Sequence, residues 1–319
     1  MVNVFQNANI QNLSLLEQKK YYEKLREQCL FIRDNQFRFG QDIIKNVYPF
    51  LRQYKLEIQG EENVPNDSNA LFLVNHSNSH DIFTAYEVLS CLQRRASVMV
   101  ATDCLNPITT KIFNISNATL LDRRKKEDRQ NSVLALSKKI LSGNDGVIFG
   151  ESTWNLHPIL PMHNIRKGVA IISAITQVPI IPTIFEYIEE DGILKTEGQL
   201  YKKCIIRFGK PEVINYNNNS IIQSNQLREE MIKIRRQIWG DYNIRKDCIG
   251  DIDPLIYINH TYLKKFKALG FTYDSKKEQE YLLFLENDKK ENEYTIDVNG
   301  NFLPGITEKN FELNKILRK

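Results

Sequence analysis

Short apolar runs alternate with amphipathic segments across the middle of the chain. Such runs predict buried strands, and they lie at residues 70–74, 97–101, 146–149, 178–185 and 203–208. Between them, apolar side chains recur at helical spacing, as at Val133, Leu136 and Ile140. Strands that alternate with helices over residues 55–245 predict an α/β domain.

The first 54 residues carry two helical patterns. Ser14 and Glu17 form a capping-box pair that predicts a helix start, and an apolar stripe follows to Ile32. A second apolar stripe runs from Phe39 to Tyr54, and several lysines and arginines decorate the first helix. This helical pair either packs on the core or forms an amphipathic surface that contacts lipid headgroups.

The pattern changes after Asp247. Residues 257–269 and 276–285 resemble helices, and residues 294–298 resemble a strand that enters a tight Asn-Gly turn. We therefore predict three parts: N-terminal amphipathic helices at 1–54, the α/β domain at 55–245 and a C-terminal α+β extension at 246–319.

Composition narrows the choice of partners and compartment. The 319 residues carry a net charge of +4, which is too weak to indicate nucleic acid but suits an anionic membrane surface. The start of the chain lacks a signal-peptide pattern, and no run approaches the roughly 18 apolar residues of a spanning helix. Together these features predict a cytoplasmic protein, peripheral at the inner face of the membrane through its N-terminal helices. Reduced thiols are predicted for the five scattered cysteines, Cys29, Cys91, Cys104, Cys204 and Cys248.

The segment after the first buried strand carries the main candidate chemistry. His76 lies where that strand ends, and Asp81 lies where the next helix begins. Strand ends in α/β sheets are where ligands collect, and a histidine there can accept a proton near neutral pH. A carboxylate one helical turn away can fix the tautomer of the imidazole and stabilise the imidazolium. The pair is a base with an orienting group, and a substrate hydroxyl can supply the nucleophile.

Two further loops follow predicted strands. Arg123 offers a guanidinium suited to bidentate contact with a phosphate or carboxylate, although a surface ion pair would be the simpler role. Glu151, Ser152 and Thr153 end a buried strand with one carboxylate and two hydroxyls, which would also suit a helix cap.

In this order and spacing, these stretches resemble four sequence blocks of the glycerolipid acyltransferases, the family of the lysophosphatidic acid acyltransferases. The first block, Asn-His-x-x-x-x-Asp, matches at Asn75, His76 and Asp81. The fourth, Val-Pro-Ile-Ile-Pro, is complete at residues 178–182. The resemblance covers about residues 55–245 and implies that family's mixed sheet flanked by helices.

The two middle blocks match in part. The second, Gly-x-x-Phe-x-x-Arg, keeps Arg123 but has Asn117 at the glycine and Leu120 at the phenylalanine. The third, Phe-Pro-Glu-Gly-Thr-Arg, keeps three residues and replaces the proline, glycine and arginine. The retained residues are Phe149, Glu151 and Thr153, and the replacements are Gly150, Ser152 and Trp154.

The resemblance implies an acyltransferase that moves a fatty acyl chain from acyl-CoA or acyl carrier protein to a hydroxyl of a lipid or sugar acceptor. His76 would be the general base and Asp81 its orienting group, without a covalent acyl-enzyme at Ser77 or Ser79. The substrate-binding residues would be Arg123, Glu151, Ser152 and Thr153. No cofactor is implied beyond the acyl donor. Tryptophan in place of arginine at Trp154 disfavours a phosphate-bearing acceptor.

Two alternatives stay open. His76 and His80 are spaced i, i+4 and could share a metal with Asp81, His157 or His163 in a metal-dependent hydrolase. The partial middle blocks would also suit a catalytically inactive lipid-binding scaffold. We predict neither a metal site nor an inactive protein, because His76 and Asp81 are both retained and no further metal ligand lies at a recognisable spacing.

Overall fold

The structure of the protein is a computed structural model, and it has an α/β architecture. It describes residues 13–30, 39–52, 54–78, 80–102, 105, 107–155, 161–188, 202–214 and 220–244. The predicted C-terminal helices and strand, together with Ser79, Cys104, His157 and Cys248, lie outside these residues.

The described residues include seven strands that form one sheet, and the sheet is mixed, as the resemblance implies. In chain order they are β1 Lys55–Gln59, β2 Leu71–Val74, β3 Ala96–Ala101, β4 Thr119–Leu121, β5 Asp145–Phe149, β6 Ile180–Ile188 and β7 Lys203–Phe208. Their spatial order is β1-β7-β6-β2-β5-β3-β4. Strands β6 and β7 pair antiparallel, and the other described pairs are parallel. Strand β2 is therefore central, with β5 and β6 beside it.

Helices cover both faces of the sheet. They are α1 Leu15–Leu30, α2 Phe39–Leu51, α3 Asp81–Cys91, α4 Pro107–Ile115, α5 Lys126–Leu141, α6 Gly168–Thr176 and α7 Ser220–Asp241, and a 3₁₀ turn spans Glu61–Asn63. The predicted capping box at the start of α1 is confirmed, since the Ser14 amide and hydroxyl both donate to the Glu17 carboxylate. None of the described helices is long and apolar enough to cross a membrane.

The two N-terminal helices pack on opposite faces of the sheet. Leu25 and Cys29 of α1 join the core beneath α5, α6 and α7, together with Leu71 of β2. Ile44 and Tyr48 of α2 join the other core, beneath α3 and α4. The predicted helical pair therefore does not present one continuous outer surface, although both of its helices are present.

Element boundaries follow the sequence most closely where local signals are strong. The strand predicted at residues 203–208 is confirmed at both ends. Helix α6 begins at Gly168, because the Arg166 amide donates to Gly150 O and keeps the preceding residues beside β5. Of the five cysteines, Cys29, Cys91 and Cys204 lie in the described residues, and each is a free thiol.

Candidate active site

The candidate site lies at the carboxyl end of the central strand β2. Asn75 directly follows this strand, and its side chain makes two hydrogen bonds with the backbone of Phe185 in β6. Nδ2 of Asn75 donates to Phe185 O at 3.0 Å, and Oδ1 accepts from the Phe185 amide at 2.7 Å. Asn75 is fully buried, so these bonds close the backbone pairing where the strand ends. These bonds fix the position of the next residue, His76, just beyond the carboxyl end of β2.

His76 and Asp81 are in direct contact. The Nδ1 atom of His76 lies 2.8 Å from Oδ2 of Asp81, whose side chain is fully buried at the first position of α3. The same Oδ2 accepts the backbone amides of Ser77 at 2.9 Å and Asn78 at 2.8 Å. Because a carboxylate only accepts, Nδ1 of His76 carries the proton and Nε2 is the basic nitrogen.

Two aromatic rings lie against His76. The Phe149 ring stacks on the imidazole with a centroid separation of 4.4 Å and an interplanar angle of 25°. The Trp154 ring is tilted by 47° with its centroid 5.4 Å away. Both side chains are buried, at 7% and 8% exposure. The imidazole of His76 is therefore flanked by largely apolar side chains.

Glu151 holds the backbone of this site. Its Oε1 accepts the His76 amide at 2.9 Å, and its Oε2 accepts the His163 amide at 2.6 Å. The side chain is buried, and burial raises the pKa of Glu151 while the two amide bonds oppose that shift. Both oxygens therefore bond backbone amides of the site. The substrate contact of Glu151 stays a prediction.

Arg123 joins the loop after β4 to the loop after β5. It is 6% exposed, and its Nη1 donates to Ser152 O at 2.8 Å. The four predicted substrate-binding residues thus lie in adjoining loops at the carboxyl ends of β4 and β5. They are Arg123, Glu151, Ser152 and Thr153. Ser152 has a φ of 59° and Asn117 a φ of 63°, which are left-handed conformations that glycine adopts most easily.

Comparison with known proteins finds a family match over part of the chain. A model of the acyltransferase family matches residues 55–186, a segment that runs from β1 into β6 and includes His76, Asp81, Arg123 and Glu151. This segment is therefore similar to the acyltransferases. The solved structure of the 1-acyl-sn-glycerophosphate (LPA) acyltransferase PlsC from Thermotoga maritima aligns with this chain at 14% sequence identity and a TM-score of 0.45, covering 72% of this chain and 85% of that chain. No curated protein sequence matches significantly.

The second histidine of this segment, His80, belongs to a different hydrogen-bond network. Nδ1 of His80 lies 2.7 Å from the Tyr48 hydroxyl of α2, and that hydroxyl lies 2.8 Å from the hydroxyl of Tyr54. Burial lowers the pKa of His80 to about 4. Within the described residues, no three histidine, cysteine or carboxylate side chains are placed to hold a metal.

Several parts of the candidate site were not predicted from the sequence. The bonds of Asn75, the aromatic contact of Phe149 and the backbone of His163 all depend on contacts between residues far apart in the chain. One local signal was available. Asn117 and Ser152 stand where the family blocks carry glycine, and asparagine in particular tolerates the left-handed conformation.

Proposed function

We propose that this protein is an acyltransferase that moves a fatty acyl chain from a thioester, acyl-CoA or acyl carrier protein, to a hydroxyl of a lipid or sugar acceptor. The observation that carries the proposal is the 2.8 Å contact between His76 Nδ1 and Asp81 Oδ2 at the end of the central strand. It pairs a base with a buried carboxylate, the arrangement that general-base catalysis requires.

The reaction balances with His76 as its proton carrier and Asp81 as the group that stabilises the imidazolium. Nε2 of His76 takes the proton of the acceptor hydroxyl while that oxygen attacks the thioester carbonyl. The imidazolium is stabilised by Asp81, and the C–O bond forms as the C–S bond breaks. The proton then passes from His76 to the departing thiolate. A general base of this kind contributes about a hundred- to ten-thousandfold in rate.

The surroundings of His76 favour an acceptor whose reacting hydroxyl is carried on an uncharged group. Phe149 and Trp154 place ring faces beside the imidazole, and ring faces contact a sugar or an acyl chain more readily than a phosphate dianion. The guanidinium of Arg123 is buried and donates to Ser152 O. Lysophospholipid-like acceptors therefore fit best where their phosphate is esterified or lies away from the hydroxyl.

The deciding experiment is product analysis with matched variants. The protein is incubated with acyl-CoA or acylated carrier protein and a lipid extract, and acylated products are identified by mass spectrometry. His76→Ala should abolish thioester consumption without lowering the unfolding midpoint, whereas Ser77→Ala should retain activity because only its backbone amide bonds Asp81. Near-normal turnover by folded His76→Ala would contradict the role of His76. No turnover by the unmodified protein with any donor would favour the inactive scaffold.

We further propose that the enzyme docks peripherally on the inner face of an anionic membrane through α2 and α4. The outer side of α2 carries four exposed apolar residues at helical spacing, namely Ile43, Val47, Phe50 and Leu51, with Phe50 87% exposed. Helix α4 packs beside α2 and adds Ile108, which is 70% exposed. Exposed Lys45 and Lys111 lie on the same two helices and would suit anionic headgroups. The lysines of α1 face the other side of the sheet and are not part of this surface.

Point substitutions test this surface better than truncation. Removing residues 14–54 would strip Leu25, Cys29, Ile44 and Tyr48 from the two cores. The Val47→Ser/Phe50→Ser double variant should lose flotation with vesicles of phosphatidylserine and phosphatidylcholine. Leu16→Ser on α1 is the control, since it removes a leucine that is 61% exposed from a helix on the opposite face of the sheet. Equal flotation of all three proteins would disprove docking through α2.

A further inference from the structure

The largest fully buried side chain described in the protein is a cation. Arg228 of α7 is 1% exposed, although its residue type is among those least often buried. Burial lowers its pKa to about 10, so the guanidinium is still charged at neutral pH. A buried charge is unfavourable unless it is paired or bonded, and its partners therefore show what it does.

The partners of Arg228 are two backbone carbonyls next to the candidate active site. Nε donates to His163 O at 2.9 Å, and Nη2 donates to Met162 O at 2.7 Å. Two turns further along α7, Arg235 Nη1 donates to Pro161 O at 2.5 Å, and its Nε bonds the Glu186 carboxylate at 2.6 Å. Two guanidiniums thus bind three successive carbonyls from one face of α7.

The same backbone segment is held from its other side by Glu151. The His163 amide donates to Glu151 Oε2, and Glu151 Oε1 accepts the amide of His76. A continuous series of hydrogen bonds therefore runs from Arg228 through the peptide group between Met162 and His163, and through Glu151, to the backbone amide of His76. The positive charge of Arg228 also attracts the Glu151 carboxylate, which favours the ionised form that accepts both amides.

We propose that Arg228 is a positioning residue of the acyl-transfer site, acting through residues 161–163 and Glu151 to fix the His76 backbone. The proposal rests on the function proposed above, but Arg228 is assigned no contact with substrate. It lies on the last described helix, beyond the segment 55–186 that matches the family. The site is accordingly completed by a helix that the family match does not include.

Arg228→Gln and Arg228→Lys test this role, with Arg236→Gln as the matched control. Arg236 lies on the same helix and is exposed. We expect kcat of Arg228→Gln to fall by roughly ten- to a hundredfold with little change in KM, since a small misplacement of a base affects the chemical step. Arg228→Lys keeps the charge and should recover part of the loss. The control should behave as the unmodified enzyme.

A double-substitution cycle separates positioning from general stability. If Arg228 acts through Glu151, adding Arg228→Gln to a Glu151→Gln protein should cost much less kcat than it costs alone. Folded Arg228 variants with unmodified kcat would overturn the proposal, and so would fully additive losses. Failure of both Arg228 variants to fold would assign the residue to stability alone and would also overturn it.

A spectroscopic measurement keeps the test independent of turnover. The imidazole carbon resonance of His76 in ¹³C-histidine-labelled protein, assigned by its loss in His76→Gln, should move in Arg228→Gln and stay in place in Arg236→Gln. An unmoved resonance would overturn the positioning role. If the unmodified protein showed no acyl transfer, the proposed function would fail, and this measurement would still report whether Arg228 positions His76.

Discussion

Asp81→Asn is the substitution that isolates the charge behind His76. Asparagine has nearly the same shape, and its amide oxygen can take the place of Oδ2 and still accept from His76, Ser77 and Asn78. The opposite orientation would set an NH₂ group against two backbone amides, so it is disfavoured. The imidazole therefore keeps its tautomer. The change removes the negative charge and places the amide NH₂ where Oδ1 lies buried without a hydrogen-bond partner among the described residues.

The magnitude follows from the separation of the two groups. At the observed 2.8 Å between Nδ1 and Oδ2, a full imidazolium and a carboxylate attract by about 6 kcal/mol at an effective dielectric constant of 20. If about half of the positive charge has developed in the transition state, the loss is about 3 kcal/mol. That corresponds to roughly a hundredfold fall in kcat, with little change in KM.

The assay is steady-state thioester consumption at a temperature well below the unfolding midpoint of the variant. His76→Gln is the companion protein. Once the base is absent, adding Asp81→Asn should cost almost nothing, because residues that act as a unit are strongly non-additive. A folded Asp81→Asn enzyme whose kcat stays within about threefold of the unmodified value would refute this reasoning.

Three further outcomes are expected. Trp154→Arg should raise kcat/KM for lysophosphatidic acid relative to an uncharged hydroxyl acceptor by roughly ten- to a hundredfold, the value of one charge-assisted contact; a strong preference for lysophosphatidic acid in the unmodified enzyme would contradict this. Val47→Ser/Phe50→Ser should reduce activity on vesicle-bound substrate while leaving activity on a water-soluble short-chain substrate unchanged. Because burial lowers the pKa of His80 from 6.5 to about 4, its neutral form stabilises the fold above pH 6.5, and this contribution of roughly 3 kcal/mol is lost as the pH falls toward 4. The unfolding midpoint of His80→Gln should therefore change less between pH 6.5 and pH 4 than that of the unmodified protein. An identical pH dependence of the two midpoints would contradict this prediction.

Most of the architecture could be predicted because its signals are local. Proline at the first position of α4, the capping box of α1 and the aliphatic runs of the inner strands each act within a few residues. The contact between His76 and Asp81 lies within the same class, since both residues flank a single strand-to-helix turn.

What the sequence did not show depends on contacts over long distances in the chain. The bonds that the Glu151 oxygens accept from the amides of His76 and His163 were not predicted. The two N-terminal helices were predicted either to pack on the core or to form an amphipathic surface, and the sheet separates them because each apolar stripe fits a different core. The periodicity of apolar residues predicts which face of a helix is buried. It does not identify the elements that pack against that face.

The pairing of the edge strand β1 has a consequence for where this protein can be divided. Among the described strands, β1 pairs with β7 alone, and β7 follows residue 186, where the family match ends inside β6. A fragment limited to residues 55–186 would lack β7, which is the pairing partner of β1. It would also lack α1, α2 and α7, which cover parts of the two cores. The segment that matches the family is thus shorter than the described sheet with its covering helices. Excised modules, fusions and proteolytic fragments should therefore span at least residues 13–244.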